Sequence, residues 1–205
     1  MLYKLFSIIA ILLLVAVSIA AAILLFLFVQ KISDRVNKER QEAAGRAGEH
    51  RATEIISSAL REGDFLFTNV QISYDGKEAE LDNVVVNKHG VFIIEVKSYS
   101  GWLTGAEEDY EWKKQHESRG GNVYTKIVKN PIKQVKRQVY ILANYLDYYG
   151  AKVWVDGYAM ILGASCPVAS NMVLESVRQI DNVIHSTAKN GLSEGQVQKV
   201  CELLR

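Results

Sequence analysis

The sequence of 205 residues predicts an α/β domain, a mixed sheet flanked by helices, preceded by one long apolar helix. Apolar runs of strand length, bounded by turn residues, occur from Phe65 to Gly105 and again from Val153 to Gly163. Segments with apolar residues at helical spacing lie before and after these runs, at 49–63, 130–150, 175–186 and 194–204. The alternation of both patterns predicts helices packed on a sheet.

The N-terminal segment from Leu5 to Val29 is apolar apart from Ser7 and Ser18, and it has no charged residue. As a helix it would span roughly 37 Å, whereas the hydrocarbon core of a bilayer is about 30 Å thick. A signal peptide has a shorter apolar region of about 7 to 15 residues that ends at small residues. Ala20 to Ala22 would provide such an end, but the apolar run continues past it. The sequence therefore favours an uncleaved, single-pass anchor over a signal peptide.

The charges beside this segment predict its orientation. Only Lys4 precedes it, whereas four basic residues follow it closely: Lys31, Arg35, Lys38 and Arg40. Under the positive-inside rule, the C-terminal domain lies on the cytoplasmic side of the cell membrane. Cys166 and Cys201 form no paired framework, which agrees with a reducing compartment.

The stretch from Glu80 to Lys97 reads as a β-hairpin, because two apolar runs flank a polar break that ends in a glycine. The loop is either the four residues from Asn87 to Gly90 or the two residues Lys88 and His89. Both alternatives give one register, with Val86 opposite Val91 and Val84 opposite Ile93. The same register places Asp82 opposite Glu95 and Glu80 opposite Lys97.

Side chains alternate faces along a strand, so Asp82, Glu95 and Lys97 share one face while Phe92, Ile94 and Val96 point to the other. Opposed carboxylates repel each other unless a cation offsets them. Mg²⁺ takes oxygen ligands, so Asp82 and Glu95 suit it, and Lys97 is placed to hold an attacking water or a phosphate oxygen. The alternative is an ordinary cross-strand ion pair at the surface.

The formal net charge of +1 does not indicate a nucleic-acid-binding protein, but the distribution of charge is uneven. Between Lys113 and Arg137 there are eight Lys or Arg residues and one acid, Glu117. This basic stretch is either a solvated face or a surface that contacts phosphate. We take Lys129, Lys133 and Arg137 as the candidate nucleic-acid contacts.

A helix begins after Asn130, its predicted cap, with Pro131 at the first helical position, and it ends at Gly150. Its buried stripe is predicted to contain Ile132, Val135, Val139, Leu142, Leu146 and Tyr149. Lys133, Gln134 and Arg137 lie in its first turns, where free backbone N–H groups attract anions.

Glu49 lies in line with Ala52 and Ile56, at the edge of the buried stripe of an earlier helix, so it would face the body of the domain. The alternative is an acid near a helix N-terminus that interacts only with the helix dipole. Other chemistries lack motifs: the sequence has no phosphate-binding Gly-rich loop, no Gly-x-Ser-x-Gly and no Cys-x-x-Cys. The four histidines show no zinc-ligand spacing.

Taken in order, these motifs resemble the NERD, or nuclease-related, domain. The resemblance covers about Gly45 to Tyr149 and rests on these motifs: Gly45-x-x-Gly48-Glu49, Glu80-Leu-Asp82, Gly90-Val-Phe-Ile-Ile-Glu95-Val-Lys97-Ser-Tyr99-Ser-Gly101, Trp112 and Asn130-Pro131-Ile-Lys-Gln134. Asp82 lies in Glu-Leu-Asp and has no proline beside it, which is usual for this family.

The resemblance implies a restriction-endonuclease-like fold of the PD-(D/E)xK superfamily and a Mg²⁺-dependent nuclease, with Mn²⁺ as a substitute ion and DNA as the expected substrate. It implies that Asp82, Glu95 and Val96, the residue between Glu95 and Lys97, bind the metal. Lys97 is then the catalytic lysine, Glu49 the acid of the first helix and Gln134 the helix glutamine that completes the site. The alternative function is a catalytically inactive module that holds nucleic acid or a protein partner at the membrane.

The predicted organisation has four parts: a transmembrane anchor at 1–30, a charged stalk at 31–44, a nuclease-like domain at 45–165 and a helical extension of that domain at 166–205.

Overall fold

The computed structural model describes residues 2–118, 120–186 and 191–205, without the side chains of residues 2–18, 20–22 and 41. The side chains left out include most of those of the predicted anchor, Leu5 to Val29. Within the described part of the chain, no helix meets both the length and the hydropathy needed to cross a membrane.

The chain forms two compact units, Met1–Ala44 and Gly45–Arg205. The first helix, α1, extends over Leu2–Ala59, so its last turns belong to the second unit. The remaining elements follow in this order: β1 Phe65–Tyr74, β2 Lys77–Asn87, β3 Gly90–Thr104, β4 Glu111–Glu117, β5 Val123–Lys129, α2 Pro131–Tyr148, β6 Val155–Ser165, β7 Val173–Leu174, α3 Val177–His185 and α4 Glu194–Leu203.

In the described residues, seven strands form one mixed sheet, and β3 lies at its centre. On one edge, β3 pairs in parallel with β6 from Val91 to Trp102. On its other edge, β3 pairs antiparallel with β2 at its start and with β4 at its end. β1 and β5 extend the antiparallel order outward, and the short β7 pairs with β6. The sheet is therefore mixed, as predicted from the sequence.

The predicted hairpin register is confirmed, since Val86 pairs with Val91 and Val84 with Ile93. Asn87 pairs with Gly90, so the loop is the two-residue alternative. The ladder ends at the pair of Asn83 and Ile94, beyond which β2 separates from β3. The predicted pairings of Asp82 with Glu95 and of Glu80 with Lys97 are wrong, because past this point β2 pairs only with β1, where Glu80 pairs with Gln71.

Helices cover both faces of the sheet and divide its apolar side chains between two cores. On one face, Val84 and Ile93 pack with Ile141 and Leu142 of α2 and with Val200 of α4. On the other face, the alternating residues of the same strands pack with α1 and α3: Val85, Phe92, Ile94, Val96, Ala52, Ile56, Ile180 and Ile184. The period of two along β2 and β3 thus assigns each strand residue to one core.

The predicted helices form, with small shifts at their ends. Asn130 caps α2 by accepting the N–H of Ile132, and Ser193 caps α4 with a complete capping box. The predicted burial of Tyr149 is wrong, since this residue follows the last turn of α2 and is 49% exposed. Gln138 and Ile141 are buried instead. Strand β5 was not predicted: its Val, Tyr, Thr and Ile residues favour a strand, but its apolar and polar residues do not alternate regularly.

Gly101 provides a test of the junction between β3 and β4. Its φ of +87° is unfavourable for other residues, and a Cβ there would lie 1.9 Å from the carbonyl oxygen of Gln115. Gly150 has a similar φ of +81°, but no atom lies within 4 Å of its hypothetical Cβ. We expect Gly101→Ala to lower the free energy of unfolding by about 3 kcal/mol or more, and Gly150→Ala by about 1 to 2 kcal/mol. Urea unfolding measures both, and equal losses would contradict the steric contact.

Candidate active site in the fork of the sheet

A gap opens along β3 between the end of its pairing with β2 and the start of its pairing with β4. The first partner strand ends opposite Ile94, and the second begins opposite Trp102. We call this gap, which contains Glu95 to Gly101 of β3 and Asp82 of β2, the fork. Because these β3 residues pair only with β6 on the opposite edge, their fork-side edge is available to side chains and ligands.

Asp82 lies at the point where the two strands separate. Its Oδ2 accepts a hydrogen bond of 2.8 Å from the backbone N–H of Val96, replacing the strand ladder that ends one pair earlier. Burial and the nearby charge of Glu95 together raise the pKa of Asp82 to about 6, although the Val96 hydrogen bond and Lys97 act in the opposite direction. The metal-free site therefore disfavours the ionised form of Asp82, and a cation would offset that cost.

Glu95 is only 1% exposed, and three side chains donate hydrogen bonds to its carboxylate. Lys97 and Gln134 both donate to Oε1. Gln138 donates to Oε2 at 2.6 Å, and the same Nε2 also donates to the backbone carbonyl of Glu80 at 2.9 Å. A buried charge of this kind requires such donors, so α2 and β3 together keep Glu95 in place.

Lys97 lies beside both carboxylates with a quarter of its side chain exposed. Burial acts to lower the pKa of Lys97, but the charges of Glu95 and Asp82 outweigh it, so the pKa is raised overall. Its ammonium group is therefore charged at neutral pH and reaches the solvent side of the fork. Burial also raises the pKa of the neighbouring Tyr99 hydroxyl, which remains protonated.

Glu49 approaches the fork from the last part of α1. The preceding Gly48 packs so closely on β3 that a Cβ there would lie 2.6 Å from the Cβ of Ser98. Glu49 is partly buried, and its charge contributes to the raised pKa of Asp82. The alternative interpretation as an acid at a helix N-terminus is wrong, because α1 begins at Leu2. Glu49 thus faces the domain, as its spacing predicts.

The candidate nucleic-acid contacts do not gather at the fork as free cations. Lys133 contacts Glu108 at 3.4 Å, and Arg137 donates to the backbone carbonyl of Glu78 at 3.0 Å. Lys129 lies on β5, directly opposite Glu111 of β4. Among these three, the positive charges on α2 and β5 are thus partly occupied by acids or carbonyl groups of the protein itself.

The donor atoms at the fork fit a hard divalent cation. In a strand, the N–H and C=O of one residue point to the same edge, so the carbonyl of Val96 faces the fork together with its N–H. Asp82, Glu95 and this carbonyl provide the oxygen ligands that Mg²⁺ accepts, with water in the remaining positions. In the described part of the chain, no group of three or more His, Cys, Asp or Glu residues could hold a metal. A cation here would keep several water ligands.

Gln138 is the site residue that sequence reasoning missed. It is 2% exposed and lies four residues after Gln134, one helical turn along α2. A glutamine four residues after Gln134, within the otherwise apolar stripe of α2, is the sequence pattern that would have indicated this residue. Both of its contacts are acceptors, which fixes the orientation of its amide group.

Comparison with known proteins identifies the family of the chain. Residues 44–162 match the model of the nuclease-related domain, a segment that contains every residue of the fork and most of the sheet. The chain therefore belongs to the NERD family. It is also 30% identical over 78 residues to an uncharacterized protein of Bacillus anthracis. This alignment covers 38% of the chain and 37% of that protein, and no solved structure matches the chain.

The raised pKa of Asp82 predicts a specific pH dependence in metal-free protein. Because the folded state binds this proton more tightly than the unfolded state, stability falls as the pH rises from 3.8 through about 6. Asp82→Asn removes this loss, so its stability relative to wild type should increase over that range, by at most about 3 kcal/mol. Urea unfolding in EDTA at several pH values measures it. The exposed turn variant Asp75→Asn should show no such trend, and a pH-independent difference for Asp82→Asn would contradict the assignment.

Proposed function

We propose that this chain is a metal-dependent nuclease of the PD-(D/E)xK type, hydrolysing phosphodiester bonds in nucleic acid. The observation that carries the proposal is the convergence of Asp82, Glu95 and Lys97 at the fork, where one cationic and two anionic groups share a partly open edge. Membership of a nuclease-related family and the mixed α/β sheet support the same chemistry. DNA is the expected substrate.

Asp82 and Glu95, with the carbonyl of Val96, would hold Mg²⁺, and Mn²⁺ would suit the same oxygen ligands. When bound, the ion would supply charge stabilisation at the phosphate and a more acidic water. The raised pKa of Asp82 supports this role, since a site that places two carboxylates together in partial burial favours a cation.

Lys97 provides a mobile positive charge at the fork, suited to hold the attacking water or a phosphate oxygen as negative charge develops there. Gln134 is exposed at its solvent side and donates to Glu95, so it would orient that carboxylate while remaining within reach of substrate. Gln138 donates to the same carboxylate from the buried side, so it would help to orient Glu95. Glu49 would orient water from α1.

A second candidate function is an inactive module that holds nucleic acid or a protein partner. It is favoured by one observation: Glu95 already receives hydrogen bonds from Lys97, Gln134 and Gln138, as a purely structural carboxylate would. The weak overall basicity of the chain also agrees with it. Metal binding and cleavage separate the two functions.

We also infer that the N-terminal segment anchors the domain at the cell membrane. The support comes from the sequence, where Leu5 to Val29 lack charge, and from large apolar side chains that are exposed on α1: Ile19, Ile23, Leu24, Leu25, Phe26, Leu27, Phe28 and Val29. In water such a surface would be unfavourable, whereas lipid would cover it. The basic residues that follow place the domain in the cytoplasm.

The first prediction from this proposal concerns Lys97→Met, which keeps much of the side-chain stem but removes the ammonium. We expect cleavage to fall by a factor of roughly a hundred or more, since a single electrostatic contact to the transition state is lost. The metal-induced rise in melting temperature should remain, because Lys97 is not a ligand. A cleavage assay with single- and double-stranded DNA and RNA in Mg²⁺ or Mn²⁺ measures the rate.

Two variants complete this experiment. Asp82→Ala should abolish both cleavage and the metal-induced rise, whereas Lys152→Met, at an exposed lysine outside the fork, should change neither. If millimolar metal does not change the melting temperature of the wild-type protein, the metal site is excluded. If wild type binds metal and nucleic acid but cuts no substrate, the inactive module is the correct function.

The second prediction concerns topology. Because basic residues follow the apolar segment, protease added to intact cells should leave the domain beyond Lys31 uncut, and lysis should make it accessible. An antibody against a C-terminal tag follows the fragment. Cleavage of the domain from outside without lysis would show the opposite orientation, and recovery of the full chain in the soluble fraction would exclude the anchor.

A further inference from the structure

The hairpin formed by β4 and β5 extends the sheet beyond the fork and is mostly exposed to solvent. It joins the sheet through β4, which pairs with Trp102 to Thr104 of β3, while β5 pairs only with β4. All side chains of β5 are exposed except Val128, which is half-buried. Trp112 of β4 is buried and packs with Val128, but most other side chains of the hairpin are available at the surface.

One face of this hairpin is cationic and aromatic. Lys114 pairs directly with Lys126, and His116 pairs with Tyr124, so these four side chains lie on the same face. Like charges opposite each other destabilise a hairpin unless an anion lies between them. The acids of β4, Glu111 and Glu117, alternate to the opposite face. In the described part of the chain, neither Lys114 nor Lys126 forms an ion pair.

This arrangement contrasts with the basic residues of α2. Lys133 and Lys136 contact Glu108 and Glu107, at 3.4 and 2.8 Å. The lysines on the hairpin face are therefore better suited to bind an external anion than those of α2, although the sequence gives both regions the same basic character.

The hairpin face is continuous with the fork. The Nζ of Lys114 lies 5.6 Å from the ring centroid of Tyr99, a cation–π distance. The charge of Lys97 in turn acts to lower the pKa of Tyr99, so these two side chains lie near each other. A row of side chains thus leads outward from the fork, and we call it the cationic strip: Tyr99, Lys114, Lys126, His116 and Tyr124.

We propose that the cationic strip binds a single strand of nucleic acid that leads into or out of the fork. This inference rests on the proposed nuclease function and extends it to the class of substrate. The two lysines would contact successive phosphates. Tyr124, which is 60% exposed, offers a ring on which a base stacks. Bases inside a duplex are already stacked on each other, so only an unpaired strand can use this ring.

The test measures binding apart from cleavage. Full-length protein in detergent micelles is titrated against fluorescein-labelled oligothymidine, oligouridine and a duplex in EDTA, and fluorescence anisotropy reports the affinity. We expect tighter binding of a single strand than of the duplex, with the two single strands distinguishing DNA from RNA. Equal affinity for duplex and single strand would overturn the proposal, as would no binding at all.

The variants separate stacking from charge. Tyr124→Ala should weaken single-strand binding about 5- to 100-fold, the range for loss of one stacked base, while Tyr124→Phe keeps the ring and should bind as wild type. Lys114→Gln with Lys126→Gln should weaken binding and reduce the salt dependence, with the slope of log K against log salt falling by about 1.4. These side chains are exposed or half-buried, so melting temperatures should not fall.

The matched control removes the same charge from outside the cationic strip. Lys113→Gln, on the other face of the hairpin, combined with Lys152→Gln, at an exposed lysine outside the fork, should leave single-strand affinity nearly unchanged, apart from a small effect on salt dependence. If this pair weakens binding as much as Lys114→Gln with Lys126→Gln, the cationic strip is not the binding surface. If the strip variants weaken binding but wild type cleaves nothing in any metal, the nuclease function is excluded and the strand-binding inference is supported. If wild type cleaves nucleic acid but the strip variants bind as wild type does, the nuclease function is supported and the strand-binding inference is excluded.

Discussion

The structure depends on one buried charge, the carboxylate of Glu95 at the centre of the sheet. A carboxylate that is almost fully removed from water is unstable without several donors, and here Lys97, Gln134 and Gln138 supply them. Two of these donors come from α2, which must therefore lie across β3 in one register. The requirement to satisfy Glu95 thus fixes both the position of the helix and the geometry of the site.

The same requirement explains why the sheet opens where it does. If β2 continued its ladder beyond Asn83, Asp82 and Glu95 would face each other directly across the strands, and their charges would repel. The strands separate at this point, and Asp82 instead accepts the N–H of Val96. The fork is therefore the place where an ordinary hairpin becomes electrostatically unfavourable, and a cation would occupy that place well.

The basic residues on the two sides of the fork differ in their contacts, and this difference affects how a substrate would reach the fork. On the side of α2, basic residues such as Lys133 and Lys136 are held by the acids of the loop between β3 and β4. On the side of β4 and β5, Lys114 and Lys126 face solvent together with Tyr124. The net charge of the whole chain does not indicate this difference between paired and unpaired basic residues in the described part of the chain. Local pairing of charges, more than their number, decides which basic surface is open to a phosphate backbone.

The sequence alone determined the strand period, the hairpin register next to the turn and the helix caps, because these features follow from local side-chain alternation and turn chemistry. It also placed Asp82, Glu95 and Lys97 on one face, since a period of two requires it. Contacts between distant segments depended on the tertiary structure. The separation of β2 from β3, the burial of Gln138 and the pairing of α2 lysines with a distant loop arise when helix and sheet pack, so no local pattern encodes them. Strand β5 also depends on the tertiary structure: its Val, Tyr, Thr and Ile residues favour a strand, but only pairing with β4 gives its backbone partners.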